Sequence, residues 1–282
     1  MIAYLKIIRP INIVLSAVGV SLGFWLTDVS APLTDVVLLI LTVTCAVGYG
    51  NVINDIKDAP GDRINHPDRP LPRGDVSPKG ALIFAALLAP GALSASFLIS
   101  PAHGIAAFIP LVLLTLYTLF LKGTPLLGNI LISLLVAYTL IFGSIHSPDT
   151  AIIIIPAFCA FLLNFSREII KDMQDRAGDL QTGLTTTAIL PASILKAVLS
   201  GISVVYMLCF LLPVVVGHFH MIYLLNCISI ILPLHIFWLV KLLRSTAPAH
   251  LETIATAIKI EMFAGLAALT VDKLVTVPVS FF

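Results

Sequence analysis

Residues 54–62 read NDIKDAPGD, and residues 172–179 read DMQDRAGD. Both stretches contain three aspartates in the pattern DxxDxxxD, and each aspartate of the second stretch follows its counterpart in the first by 117 residues. On a helix, positions i, i+3 and i+7 fall within an arc of roughly 60°, so each stretch can present its carboxylates on one face. We call these stretches the first and second Asp clusters. Pro60 and Gly61 predict that the first helix ends before Asp62.

Six carboxylates close together repel one another unless cations neutralise them. A single DxxD motif is usually a solvated turn, but two matched clusters in a chain with 15 acidic residues favour a functional site. Mg²⁺ prefers carboxylate oxygens together with substrate phosphate oxygens, so the pattern predicts two or three Mg²⁺ ions and a phosphorylated substrate. Five nearby cations could contact phosphate: Lys57, Arg63, Lys122, Arg167 and Lys171.

The composition predicts a membrane protein. The chain has 282 residues, of which 59% are hydrophobic and 11% are charged, whereas an ordinary soluble domain carries about 25% charged residues. The excess apolar surface must face a lipid bilayer. The net charge of +1 gives no reason to expect nucleic acid as a partner. The four cysteines lie in apolar runs without paired spacing, which favours buried free thiols.

The apolar runs are long enough for about nine transmembrane helices. We expect one all-α membrane domain over residues 1–282, a helical bundle around a central cavity with a polar cap at one face. The predicted spans are 11–27, 34–54, 79–99, 103–121, 126–145, 150–170, 191–216, 220–242 and 253–271. Short connectors are marked by Pro32, Pro101, Pro125 and Pro148. The two longest connectors, about 55–78 and 171–190, carry the Asp clusters.

The distribution of Lys and Arg predicts the orientation in the cell membrane. The connectors after spans one, three, five and seven contain no Lys or Arg, whereas the N-terminal segment and the alternate connectors contain nearly all of them. Only Lys273 falls on the opposite side. We therefore expect the N-terminus and the Asp clusters on the cytoplasmic side.

The first cluster, together with Asn65-His-Pro67-Asp-Arg69-Pro70-Leu-Pro72, resembles the first motif of the UbiA-type intramembrane prenyltransferases. The second cluster, preceded by Arg167-Glu168-Ile-Ile-Lys171, resembles their second motif. Arg9-Pro10-Ile-Asn12, Tyr117 through Lys122, Gly128-Asn129 and the nine-span layout also match. The resemblance covers nearly the whole chain and implies Mg²⁺-dependent transfer of a prenyl group from a polyprenyl diphosphate to a lipophilic acceptor.

The resemblance also implies roles for individual residues. The metal set would be Asn54, Asp55, Asp58, Asp62, Asp172, Asp175 and Asp179. The substrate-binding set would be Asn12, Asn54, Arg63, Lys122, Arg167 and Lys171. Four of the aspartates, Asp58, Asp62, Asp175 and Asp179, would be catalytic, and Tyr138 is the aromatic candidate for stabilising an allylic carbocation.

Two questions stay open in the sequence. Within the family, residues 167–179 and 128–138 are most similar to the geranylgeranylglyceryl phosphate geranylgeranyltransferases, but prenylation of a quinone precursor or a chlorophyllide-type acceptor uses most of the same motifs. A membrane transporter also carries intramembrane acids and internal repeats. Clustering of the acids at one face, in a parallel repeat, favours the enzyme.

Overall fold

The computed structural model describes residues 2–27, 32–147, 150–183 and 185–276, and it is a bundle of long helices. The helices are α1 (Ile2–Ile7), α2 (Pro10–Thr27), α3 (Leu33–Asn65), α4 (Pro78–Ile99), α5 (Pro101–Leu121), α6 (Leu127–Gly143), α7 (Ala151–Thr182), α8 (Ala192–Val215), α9 (Met221–Arg244) and α10 (Pro248–Thr276). A 3₁₀ turn, Thr187–Ile189, links α7 to α8. The last turn of α5, Tyr117–Leu121, is a π-helix, and a second π-helical turn interrupts α9 at Cys227–Ile231.

Length and composition make this a multi-pass membrane protein. Eight of these helices are long and apolar enough to cross a bilayer, and α6 is an apolar helix of 17 residues, about 25 Å long. Large apolar side chains point outward from the bundle, among them Leu33, Leu98 and Val215, each more than 70% exposed. The prediction of about nine spans is confirmed. Pro101 begins α5 as expected, whereas Pro148 lies outside the described residues.

The two Asp clusters lie on helices rather than in connectors, which corrects the sequence prediction. Helix α3 continues through Pro60 and Gly61 to Asn65, and α7 continues to Thr182. The connectors are therefore 66–77 and 183–191 instead of 55–78 and 171–190. The missing N–H of Pro60 costs one helical hydrogen bond. The turn beyond it is nevertheless held, because His66 N donates to Asp62 O and Arg69 pairs with the Asp62 carboxylate.

The spacing of 117 residues between the clusters extends to the surrounding architecture. Helices α2 and α3 match α6 and α7 at this offset. Among the described residues, two that are not glycine have positive φ, Arg9 at 55° and Leu126 at 65°, and they too are 117 residues apart. Each precedes the first helix of its unit. The chain is thus a parallel repeat in which a residue with positive φ precedes an apolar helix, and the next helix carries an Asp cluster.

Helices α2 and α6, the equivalent first helices of the two repeats, cross at glycines. A Cβ added at Gly23 would lie 2.0 Å from Leu140 O, and one added at Gly143 would lie 2.1 Å from Val20 O. Both obstacles are backbone atoms, which cannot rotate away as a side chain could. In a membrane, small residues allow this close approach and so provide packing that apolar burial alone does not.

Replacing Gly23 by alanine is expected to destabilise the bundle, because the methyl group would force α2 and α6 apart. The matched control is Gly201→Ala on α8, where an added Cβ meets nothing within 4 Å and where the higher helix propensity of alanine should be neutral or favourable by up to about 1 kcal/mol. Thermal unfolding in one detergent compares the two variants. Equal melting temperatures would show that the α2–α6 contact does not require glycine.

Candidate active site

The ends of α3 and α7 are joined by one asparagine. Asn65 Nδ2 donates to Asp175 O at 2.8 Å, and Gly178 N donates to Asn65 Oδ1 at 3.0 Å. A Cβ at Gly178 would lie 2.4 Å from Asn65 Nδ2, so only glycine permits this approach without a shift. The last residue of α3 is therefore held against the turn of α7 that carries the second Asp cluster.

Four carboxylates from the two clusters accept hydrogen bonds or ion pairs from connector residues. Asp58 pairs with Lys122, and both oxygens of Asp62 accept from Arg69 Nη1 at 2.7 Å. Asp175 Oδ1 lies 2.9 Å from His66 Nε2, and Thr186 Oγ1 donates to Asp179 Oδ2 at 3.0 Å. Residues of three different connectors thus contact these four carboxylates.

The first aspartate of each cluster has partners within its own repeat, and its place in the predicted metal set stays a prediction. Asp55 is buried, does not line the cavity, and forms an ion pair with Arg9. Asp172 accepts from Asn129 Nδ2 at 2.9 Å and from Thr187 N at 3.2 Å. Each therefore ties the start of its repeat's first helix to the helix that carries the cluster.

Burial alone would lower the pKa of Arg9, but the neighbouring carboxylates of Asp55 and Asp58 raise it above its ordinary value. The guanidinium is therefore held in its charged form. Asp55, which is buried at 3% exposure, is thus paired with a cation of the chain itself.

A cavity of about 1000 Å³ begins at these residues and continues between the helices. Both Asp clusters contribute to its polar end, and apolar side chains of α2 to α10 line the remainder. The sequence-predicted residues that line it are Asn12, Asn54, Asp58, Asp62, Lys122, Tyr138, Arg167, Lys171, Asp172, Asp175 and Asp179. We call the end formed by Asp58, Asp62, Asp175 and Asp179 the carboxylate mouth.

Lys122 faces this mouth rather than the membrane interface. Its Nζ donates to Asn54 Oδ1 at 2.9 Å and pairs with Asp58, and its side chain is 14% exposed. Arg63, by contrast, is exposed and does not line the cavity, so its predicted role in substrate binding is not supported. Arg69, six residues further on, occupies the position at the mouth.

Tyr138 lines the apolar part of the cavity and not the carboxylate mouth. Its hydroxyl donates to Ala106 O at 3.0 Å, and its ring lies 6.1 Å from that of Phe142. It follows Asn129, the partner of Asp172, by nine residues on α6, a rise of about 13 Å along the helix axis. A role of Tyr138 at the reacting carbon remains a prediction, and its position is better suited to contact with a prenyl chain.

Sequence reasoning assigned no role to several residues that the structure places at the site. Arg9, Glu168 and Lys259 line the cavity, and Lys259 Nζ donates to Asn12 Oδ1 at 3.0 Å across 247 residues of sequence. His66, in the connector after the first cluster, contacts Asp175. The signal available for Lys259 was a lysine inside an apolar span, which is costly unless it faces a polar cavity.

The described residues contain no group of three or more His, Cys, Asp or Glu side chains arranged to enclose a metal ion. Each carboxylate at the mouth is instead paired with a protein donor. This arrangement differs from an all-protein metal cage. It is compatible with Mg²⁺, which takes one or two carboxylates per ion and completes its coordination with water and phosphate oxygens.

The fold and site define a class: a membrane-embedded helical enzyme whose cavity joins an anion-handling mouth to an apolar interior. The sequence profile of the UbiA prenyltransferase family matches residues 14–263. The chain therefore belongs to the UbiA prenyltransferase family, and it is a prenyltransferase.

Curated relatives from archaea carry one name. Digeranylgeranylglyceryl phosphate synthase of Methanopyrus kandleri is 43% identical over 192 residues, which are 66% of this chain and 69% of the relative. The enzyme of the same name from Methanosphaera stadtmanae is 33% identical over 74% of this chain and 76% of the relative.

Solved structures agree with the family assignment. A structure of digeranylgeranylglyceryl phosphate synthase matches with a TM-score of 0.75 and 29% identity, covering 96% of this chain and 97% of that one. A UbiA homolog from Archaeoglobus fulgidus bound to GPP and Mg²⁺ matches with a TM-score of 0.67 and 18% identity over 95% of this chain and 99% of that one. At that identity, the second likeness concerns the fold.

Replacing Gly178 by alanine is expected to lower the rate of prenyl transfer, because the methyl group would make the Asn65 amide rotate away and lose both of its hydrogen bonds to α7. Asn65→Ala should cost about as much, since it removes the same two hydrogen bonds. In the double variant the clash is gone, so its rate should equal that of Asn65→Ala. A double variant slower than Gly178→Ala would contradict this account.

Proposed function

We propose that this enzyme transfers a geranylgeranyl group from geranylgeranyl diphosphate to geranylgeranylglyceryl phosphate, which forms the second ether bond of an archaeal-type lipid. The observation that carries the proposal is the meeting of two Asp clusters at one end of a long apolar cavity. That arrangement fits a donor with an anionic diphosphate and an apolar chain. The relatives named digeranylgeranylglyceryl phosphate synthase support this acceptor over an aromatic one.

Oxygen donors at the mouth fit Mg²⁺. Asp58 and Asp62 on α3 and Asp175 and Asp179 on α7 line the same end of the cavity, and Asn54 adds an amide oxygen beside Lys122. A UbiA homolog has been solved with Mg²⁺ and GPP. When bound, Mg²⁺ would supply positive charge to the oxygens of the leaving diphosphate.

The residues of the chain then perform the remaining tasks. The allylic C–O bond breaks, and its electron pair leaves with the diphosphate, whose charge Lys122 and Arg69 stabilise. The resulting carbocation lies in the apolar part of the cavity, where water is excluded. The acceptor hydroxyl oxygen attacks that carbon, the new C–O bond forms, and the hydroxyl proton passes to the released diphosphate.

We also propose that both substrates enter from the bilayer. Leu82 on α4 and Leu119 on α5 line the cavity, yet their side chains are 60% and 57% exposed. An exposed apolar residue at the rim of a cavity indicates an opening toward lipid rather than water. The distribution of Lys and Arg supports a carboxylate mouth at the cytoplasmic face, where the diphosphate would be released into water.

Asp58→Ala and Asp175→Ala should each lower turnover by a factor on the order of 10² or more, because an incomplete shell cannot stabilise the leaving diphosphate. The two losses should be strongly non-additive, since both residues act on one substrate. Diphosphate release at saturating Mg²⁺ measures the rates, with thermal stability recorded in the same detergent. Asp75→Ala is the control, since Asp75 is exposed and pairs with Arg73 outside the cavity. Near-normal turnover in either cluster variant would refute a shared metal–diphosphate site.

The acceptor is identified by mass spectrometry of the product from labelled geranylgeranyl diphosphate and a mixed pool of geranylgeranylglyceryl phosphate, quinone precursors and a chlorophyllide. We expect digeranylgeranylglyceryl phosphate, and no product after EDTA treatment until Mg²⁺ is restored. A prenylated aromatic or tetrapyrrole product would replace the proposed acceptor. Movement of substrate across the membrane without diphosphate release would indicate a transporter.

A further inference from the structure

A second group of charges lines the cavity beside the carboxylate mouth. It contains four cations, Arg9, Arg167, Lys171 and Lys259, which come from the start of α2, from α7 and from α10. We call these residues the cation cluster. Lys259 Nζ donates to Asn12 Oδ1 at 3.0 Å, which holds it at the start of α2, three residues from Arg9, and the other three cations act on it electrostatically.

Two carboxylates partly compensate this cluster. Glu168 Oε2 lies 2.9 Å from Lys171 Nζ, and its Oε1 accepts from Arg167 Nη1 at 3.1 Å. Asp55 pairs with Arg9. Asp172, which also lines the cavity, interacts electrostatically with Lys171 as well. Lys259, by contrast, donates its hydrogen bond to the neutral amide of Asn12.

The cluster has unused hydrogen-bonding capacity. Arg167 Nε is buried and has no hydrogen-bond partner among the described residues. Lys259 Nζ can donate three hydrogen bonds, and one goes to Asn12. A buried donor without a partner is costly, and repulsion among cations adds to that cost. Both costs disappear if an anion with several acceptor oxygens occupies this part of the cavity.

The donor diphosphate does not need this cluster for its neutralisation. If two Mg²⁺ ions bind at the mouth, their charge together with that of Lys57, Arg69 and Lys122, which all line the cavity, would offset four carboxylates and an ionised diphosphate of about −3. A phosphate monoester carries about −1.5 to −2 charges at pH 7, so the cation cluster would attract it.

We propose that the cation cluster is the binding site for the phosphate monoester of the acceptor, with Lys259 and Arg167 as its main contacts. This proposal rests on the proposed function and extends it, because it separates an acceptor-phosphate site from the donor-diphosphate site. The enzyme would then select phosphorylated acceptors through charge. Aromatic acceptors without a dianionic group would leave the cations uncompensated.

Lys259→Gln tests the proposal, because glutamine keeps much of the side-chain length and removes the charge. The matched control is Lys196→Gln, since Lys196 also donates one hydrogen bond, to Leu243 O at 2.9 Å, but does not line the cavity. Steady-state kinetics are measured with geranylgeranylglyceryl phosphate and with its dephosphorylated alcohol. Inorganic phosphate serves as a competitor.

In Lys259→Gln we expect the KM for the phosphorylated acceptor to rise about tenfold or more, as is usual for the loss of a charge-assisted contact. The KM for geranylgeranyl diphosphate should stay within about twofold. The dephosphorylated alcohol should be a poor acceptor, and its KM should differ little between the wild type and the variant. Inorganic phosphate should compete with the acceptor and not with the donor.

A raised KM for the donor with an unchanged KM for the acceptor would overturn the proposal and assign the cluster to the diphosphate. Equal use of alcohol and phosphate by the wild type would also overturn it. Failure of the proposed function looks different, because the wild type would then form no product from geranylgeranylglyceryl phosphate at all. In that case, loss of thermal stabilisation by inorganic phosphate in Lys259→Gln still tests the anion site directly.

Discussion

The repulsion among aspartates at the ends of two helices is the constraint on which the rest of the structure depends. Two parallel repeats bring their clusters together, and carboxylates in a partly buried mouth cannot remain ionised without compensation. The chain meets this requirement locally: Lys122 pairs with Asp58, Arg69 with Asp62, and His66 with Asp175. These contacts fix the connectors above the cavity, so the same charges that prepare the site for metal and diphosphate also shape its cap.

The sequence predicted the parts of this design that depend on pattern. The helical spans follow from apolar length, and the clusters follow from a matched spacing. Three details could not be read from pattern. Pro60 stays inside α3 because tertiary contacts beyond it outweigh one lost hydrogen bond, Asp55 turns away from the cavity toward Arg9, and Arg69 rather than Arg63 reaches the mouth. Each of these details depends on which residues meet in the folded bundle, and the sequence pattern does not contain that information.

The repeat explains why both units carry an Asp cluster. Residues that differ between the units, or lie outside them, explain why the two sides of the cavity differ chemically. Asp55 and Asp172 hold equivalent positions, yet one binds a guanidinium and the other an amide and a backbone N–H. Helix α10, which follows the second unit, contributes Lys259 to one side of the cavity. Symmetry thus supplies paired carboxylates, and the added helix makes the two sides of the cavity chemically different.

The spacing of 117 residues also has a consequence for biosynthesis. Ribosomes extend a chain at about 5–20 residues per second, so the first Asp cluster exists for roughly 6 to 23 seconds before the second is made. During that time its carboxylates lie at the end of α3, where water can solvate them, and Lys122 is the first of their distant partners to be synthesised. Each helix of the nascent protein can therefore insert into the membrane without its later partners. The cavity is complete only when α10 has inserted.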